Sequence, residues 1–186
     1  KPFGYMPFYP GPGLGGHCIP IDPFYLSWKA REYNVAARFI ELAGEINVTM
    51  PSYVINKLSE ALDQRSARSL NGAKILIVGM AYKKNVADIR ESPAFAVMDL
   101  LKRRKATVAF HDPYVNVIPP TREHAEFTGL ASVALTDALL QEQDAVIIVT
   151  DHDNVDYGRI ARHARLVIDT RNALRAATDR HNIVKA

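Results

Sequence analysis

The chain has 186 residues, a net charge of +3 and a single cysteine, with 48% apolar and 23% charged side chains. That is the composition of a globular protein whose core needs no disulfide or metal staple. It excludes an internal disulfide, shows no run of the roughly 18 apolar residues that spans a membrane, no signal-peptide pattern, and no basic cluster interleaved with aromatics to grip nucleic acid, so a reducing cytoplasm is the expected setting.

The first ten residues, KPFGYMPFYP, lack a methionine start and the polar look of a natural terminus; they read as the interior of a longer chain whose N-terminal part is missing. Residues 1–21 read as a rigid irregular loop. Within it, GPGLGGHC places glycines at 11, 13, 15 and 16 beside prolines and the only cysteine, Cys18. Glycine lets backbone N–H groups approach a ligand closely, and proline removes flexibility. The segment is therefore either a preorganised wall for a phosphate or sugar, or an ordinary tight loop. It is not a dinucleotide fingerprint, because no strand precedes it.

Asp22 followed by Pro23 predicts a helix over 23–33, with Asp22 as N-cap and proline at the first helical position. Cys18 then lies four residues before a helix start, a placement that favours thiolate. The alternative is a small buried hydrophobe. Apolar residues at helical spacing through 34–64 predict one long helix or two, with Pro51 as an interruption. Such a stripe is core or a helix-to-helix dimer seam. The polar stretch 65–72 marks a boundary, giving a loop-and-helix part over 1–68 and a second domain over 69–186.

The second domain alternates strands and helices. KILIVGMAY (74–82), ATVAFHDPY (106–114), DAVIIVTDH (144–152) and RLVIDTRN (165–172) predict four strands. Helices are predicted over 92–105, with Ser92 as N-cap, and over 136–143 and 155–164. The pattern implies an α/β fold with a Rossmann-like parallel sheet and ligands at the carboxyl ends of its strands. Those ends read AYKK, HDPY, TDHD and DTRN, and three of the four carry an acid, a base or both. In GMAYKKNVADIRESPA, Lys83, Lys84 and Arg90 form an anion-facing corner or a solvated charged loop. Arg171 could clamp a pyrophosphate through its planar guanidinium, or pair with Asp169 or Asp151.

Together GPGLGGHCIPIDP, GMAYKKNVADIRESPA and VIDTRN resemble the UDP-glucose/GDP-mannose dehydrogenase family: its catalytic-cysteine loop, the start of its UDP-binding domain and the arginine strand of that domain, in the family's order. Histidine before the cysteine, with KPFGYMPFYPGPG, is similar to the bacterial branch of UDP-N-acetylglucosamine 6-dehydrogenases. The resemblance implies a two-step oxidation of a sugar C6 alcohol to a carboxylate with two NAD+. Cys18 matches the nucleophile and Asp22 the aspartate that orders water. Tyr9, Pro10, Gly11, Pro12, Gly13, Leu14, Gly15, Gly16 and His17 match the loop that wraps sugar and pyrophosphate. Tyr82, Lys83 and Arg171 match residues that meet UDP, and Arg90 the arginine that reaches toward NAD. The long helix is similar to the family's dimerisation helix, so a homodimer is implied. The family's N-terminal NAD-binding domain has no counterpart here, which implies that this chain alone is inactive. The same chemistry on UDP-glucose, UDP-ManNAc or GDP-mannose, and a non-catalytic nucleotide-binding and dimerisation module, remain open alternatives. A thiol redox protein is disfavoured, because no second cysteine resolves a disulfide.

Overall fold

The computed structural model describes Gly4, residues 9–16 and residues 18–186. His17 and most of the KPFGYMPF stretch lie outside the described residues.

The sheet forms because its central apolar runs can bury both faces. Strands β1 (Lys74–Val78), β2 (Thr107–His111), β3 (Ala145–Ile148), β4 (Val167–Asp169) and β5 (Ile183–Lys185) pair in the order β2-β1-β3-β4-β5, all parallel. Successive side chains of β1 point to opposite faces. Ile75 and Ile77 join one core cluster, and Leu76 and Val78 join the other. Helices cover both faces, so β1 and β3 can be apolar almost throughout.

On one face pack α3 (Pro93–Arg103) and the C-terminal half of α2 (Arg38–Ser66), through Val54, Leu58 and Leu62. On the other lie α4 (Asp137–Glu142) and α5 (Tyr157–His163). Ser92 caps α3 as its sequence predicts, accepting from the Ala94 N–H at 3.3 Å, with Pro93 in the first turn. Thr136 caps α4 and Asp156 caps α5. The N-terminal half of α2 leaves the sheet and packs against α1 (Cys18–Arg31). Ser27 donates to Glu41 at 2.6 Å and Arg31 pairs with the same carboxylate, joining the two helices.

Three expectations need correction. Helix α1 begins at Cys18, so Asp22 lies in its second turn and is not its N-cap. Pro20 takes a place in the first turn, where its missing N–H has no helical partner to lose. Pro23 sits inside the helix and costs one bond. Second, of the one long helix or two expected, α2 is one, and it runs through Pro51 without the interruption expected there. Third, β5 is a strand the pattern does not announce. In addition, β1 and β3 end well short of Tyr82 and His152, for a reason that belongs to the site.

Candidate functional site

The chain runs from β1 to β2 on one side and to β3 on the other, so the order reverses between β1 and β3. Ligands of open α/β sheets bind at the carboxyl ends of the strands at such a point. The glycine–proline loop comes to this end of the sheet and closes a cavity of about 730 Å³.

Its lining joins residues far apart in sequence. Tyr9, Pro10, Gly11, Gly13, Leu14, Gly15, Gly16 and Cys18 come from the loop and the start of α1, Tyr82 and Lys83 from the segment after β1, and Arg171 from the exit of β4. Two glycines show why the loop sequence is needed. A Cβ on Gly15 would lie 2.6 Å from the Glu91 carbonyl oxygen and 2.7 Å from the Tyr82 Cβ. One on Gly11 would lie 2.1 Å from Arg171 Nη1. The loop backbone therefore rests directly on two of the UDP candidates. The Gly16 N–H adds a bond to the Arg90 carbonyl at 3.3 Å. Pro12 is buried beneath the loop and outside the lining.

Cys18 is exposed and opens α1. That removes its reading as a buried hydrophobe. The first N–H groups of a helix have no partner within it, so they are open to a ligand beside the thiol. Asp22 follows at i+4 on the same helix face, exposed, and outside the cavity lining. Arg90 does not reach the cavity: its guanidinium closes on Asp88, with Nε at 2.9 Å from Oδ1 and Nη2 at 2.5 Å from Oδ2.

Arg171 pairs through Nε with Asp151 at 3.4 Å, and Lys84 lies 3.9 Å from the same carboxylate and 2.6 Å from Asp153. The Lys84 ammonium, then the Asn85 amide, holds the Asp153 carboxyl below its ordinary range. Lys83 lies 5.6 Å from the centre of the Tyr82 ring. The positive charge is thus real but partly matched, as a site for an exchangeable anion requires.

Sequence reasoning missed two features. Ile46, Asn47 and Met50 of α2 form part of the wall; in its helical stripe Ile46 reads as core or seam, and Asn47 and Met50 carry no signal of their own. Asp112 is also central. It is buried, and its Oδ2 accepts from Met80 N–H at 2.6 Å, Ala81 N–H at 3.1 Å and His152 Nε2 at 3.0 Å, while Oδ1 accepts from the Tyr114 and Val115 N–H groups. Burial pushes this carboxyl up, but the bonds from His152 and the Tyr114 and Met80 amides outweigh burial and hold it below the usual range. Those bonds also explain the short β1: the Gly79 N–H still bonds the His111 carbonyl at 2.9 Å, but the Met80 and Ala81 N–H groups turn to Asp112 instead of a ladder.

The family models agree with this arrangement. Residues 76–176 match the UDP-binding domain of the UDP-glucose/GDP-mannose dehydrogenase family, and residues 1–49 match its central domain. The chain belongs to this family. Among relatives in it, a UDP-N-acetyl-D-mannosamine dehydrogenase of Methanococcus maripaludis is 35% identical over 173 residues, 89% of this chain and 36% of the relative. An NDP-N-acetyl-D-galactosaminuronic acid dehydrogenase of Ralstonia nicotianae is 33% identical over 166 residues, 87% of this chain and 36% of the relative. The solved UDP-D-ManNAc dehydrogenase of Pyrococcus horikoshii superposes with a TM-score of 0.75 at 27% identity, over 99% of this chain and 40% of that one. The chain thus spans somewhat over a third of the length of the family members it matches.

Proposed function

We propose that the chain supplies the substrate-binding part and the nucleophilic thiol of a nucleotide-sugar 6-dehydrogenase acting on a UDP-N-acetylhexosamine. The observation that carries this reading is the meeting of Cys18 with Tyr82, Lys83 and Arg171 in one cavity. Arg171, Lys83 and the loop N–H groups bind the pyrophosphate. The sugar then lies toward α1, where Cys18 opens the helix. Addition of the Cys18 thiolate to a C6 aldehyde forms a thiohemiacetal, and loss of hydride from it leaves a thioester. Asp22, one turn away, orders the water that releases the acid and returns the thiolate.

NAD+ supplies the oxidising capacity, taking one hydride in each of two steps. Arg90 is the residue of this chain assigned to it, and it can serve only when its pair with Asp88 opens. The names of the relatives support an N-acetylhexosamine over glucose; UDP-GlcNAc, the substrate that the loop sequence suggests, stands beside the mannosamine and galactosamine epimers. The domain division near residue 68 is retained in this reading. The chemistry belongs in the reducing cytoplasm, where a lone reactive thiol is kept. The exposed apolar residues of α1 and the first half of α2 support a homodimer. No described helix is long and apolar enough to cross a membrane.

The test is alkylation of Cys18 by iodoacetamide in the 186-residue chain. The rate at neutral pH should exceed that of free cysteine and fall when UDP-GlcNAc, UDP-ManNAc or UDP-GalNAc is bound; the sugar that protects best identifies the epimer. A rate equal to free cysteine, unchanged by any of the three, would leave a non-catalytic nucleotide-binding module.

A further inference from the structure

We infer that His152 is the positioning residue of this cavity: as a neutral imidazole it locks the segment that carries Tyr82 and Lys83, and uptake of a second proton releases it. The inference rests on the reading of the cavity as a UDP-sugar site.

The segment from Met80 to Asn85 leaves β1 without a strand partner. Its near end is tied by Asp112, which accepts from the Met80 and Ala81 N–H groups, and by Thr150, whose hydroxyl donates to the Ala81 carbonyl at 2.6 Å. Its far end is tied by His152. The Asn85 N–H donates to His152 Nδ1 at 2.9 Å. The Asn85 side chain then bonds both ways with Asp153, donating to Oδ2 at 2.6 Å and accepting from the backbone N–H at 2.9 Å. Asn85 is held at φ +60°, a conformation asparagine tolerates better than most residues. Tyr82 and Lys83 sit between these two anchors.

The partners settle the form of the ring. A backbone N–H can only donate, so Nδ1 carries no proton. Asp112 Oδ2 is an acceptor, so Nε2 carries it. His152 is fully buried, and water cannot take over either bond. A proton on Nδ1 would set two N–H groups against each other and leave the Asn85 amide unpaired, a costly state in the interior. The groups facing the ring come from every neighbouring element. Asp112 and Tyr114, whose ring lies 5.0 Å away, follow β2, and Tyr157 of α5 donates its hydroxyl to the His152 carbonyl at 3.1 Å. Asp153 is adjacent and is paired with Lys84. Asp112 favours charge on the ring; the Asn85 amide opposes it. Binding that requires the locked segment therefore expels the second proton, and affinity falls as the solution is acidified.

The probe is UDP-N-acetylglucosamine, whose pyrophosphate diester stays fully ionised, measured by calorimetry on the 186-residue chain between about pH 8 and about pH 5.5. The dissociation constant should rise about tenfold across that range, the scale of one lost buried hydrogen bond. In His152→Gln, whose amide offers both a donor for Asp112 and an acceptor for Asn85 but takes up no proton, binding at the upper pH should be kept within about tenfold and its pH dependence should be flat. A flat profile in the native chain, or an unchanged profile in His152→Gln, would overturn the inference, the latter assigning the titration to another group such as His17. Nitrogen-15 shifts of the native ring require no variant. They should show Nε2–H with a bare Nδ1 near the upper pH, and a proton on Nδ1 there would equally overturn it. No binding by the native chain at any pH would instead strike the UDP-sugar reading, while ring tautomer and Asn85 amide protection still judge the lock.

Discussion

At the scale of single residues, the loop and the sheet meet through contacts that substitution can separate. On Gly11, an added methyl meets the far end of a flexible side chain, Arg171 Nη1. Gly11→Ala should therefore leave thermal stability nearly unchanged and swing Arg171 aside. On Gly15 it meets the Glu91 carbonyl and the Tyr82 Cβ, which cannot yield without moving backbone. Gly15→Ala should cost about 1–3 kcal/mol of unfolding free energy, the range for overpacking. Both should weaken UDP-sugar binding, and Arg171→Ala should weaken it by more than about 1.5 kcal/mol, as expected for a bond to a charged group. Calorimetry with UDP-GlcNAc, paired with thermal melts, checks all three; an unchanged dissociation constant in Arg171→Ala would return that residue to a purely structural pairing with Asp151.

At the scale of elements, Asp112 joins β1, β2 and β3 at their exits. Asp112→Asn turns an N–H2 toward backbone donors and should cost about 3 kcal/mol in chemical denaturation. Its folded carboxyl titrates below the unfolded value of about 3.9, so its contribution is complete above that value and disappears as pH falls through the lower folded one. Acid unfolding should show this loss below about pH 4, and the Asn variant should lack it. Much of this architecture is legible in the sequence. The apolar runs give strands β1 to β4, Ser92–Pro93 gives the start of α3, and the position of Arg171 at a strand end gives its place in the cavity. The rest depends on contacts between distant residues. Asp112 and His152 are forty positions apart, and nothing local shows that HDPY and TDHD bond to each other. The β5 strand is three residues long at an edge, with only Ile183 buried, too short to show a period. At α1 the Asp22–Pro23 pair carries the start signal, while the helix begins at Cys18 with Pro20 in its first turn.

At the scale of the molecule, apolar surface is unevenly placed. Phe39 is 88% exposed and Val48 79%, and Tyr25, Leu26 and Trp28 add to the same end. A groove of about 560 Å³ runs between α1, α2 and α3, with Phe24, Phe39 and Val48 in its walls. This face is where the proposed homodimer would form. Sedimentation should show self-association of the chain, and Phe39→Glu with Val48→Glu should shift it to monomer with the sheet's thermal transition preserved; a native chain that stays monomeric at high concentration would remove the dimer from the proposal. All of the buried residues of α2 lie from Pro51 onward. Pro51 cannot donate to the Asn47 carbonyl, so the helix lacks one rung where its anchored half meets its protruding half. The 29-residue α2 is thus a beam about 43 Å long at about 1.5 Å per residue, clamped at one end and notched near the middle. Asn47, whose carbonyl is left without that rung, and Met50 line the cavity just before the notch. A load on the far end bends the beam there first, and this wall of the cavity yields before the sheet feels any strain.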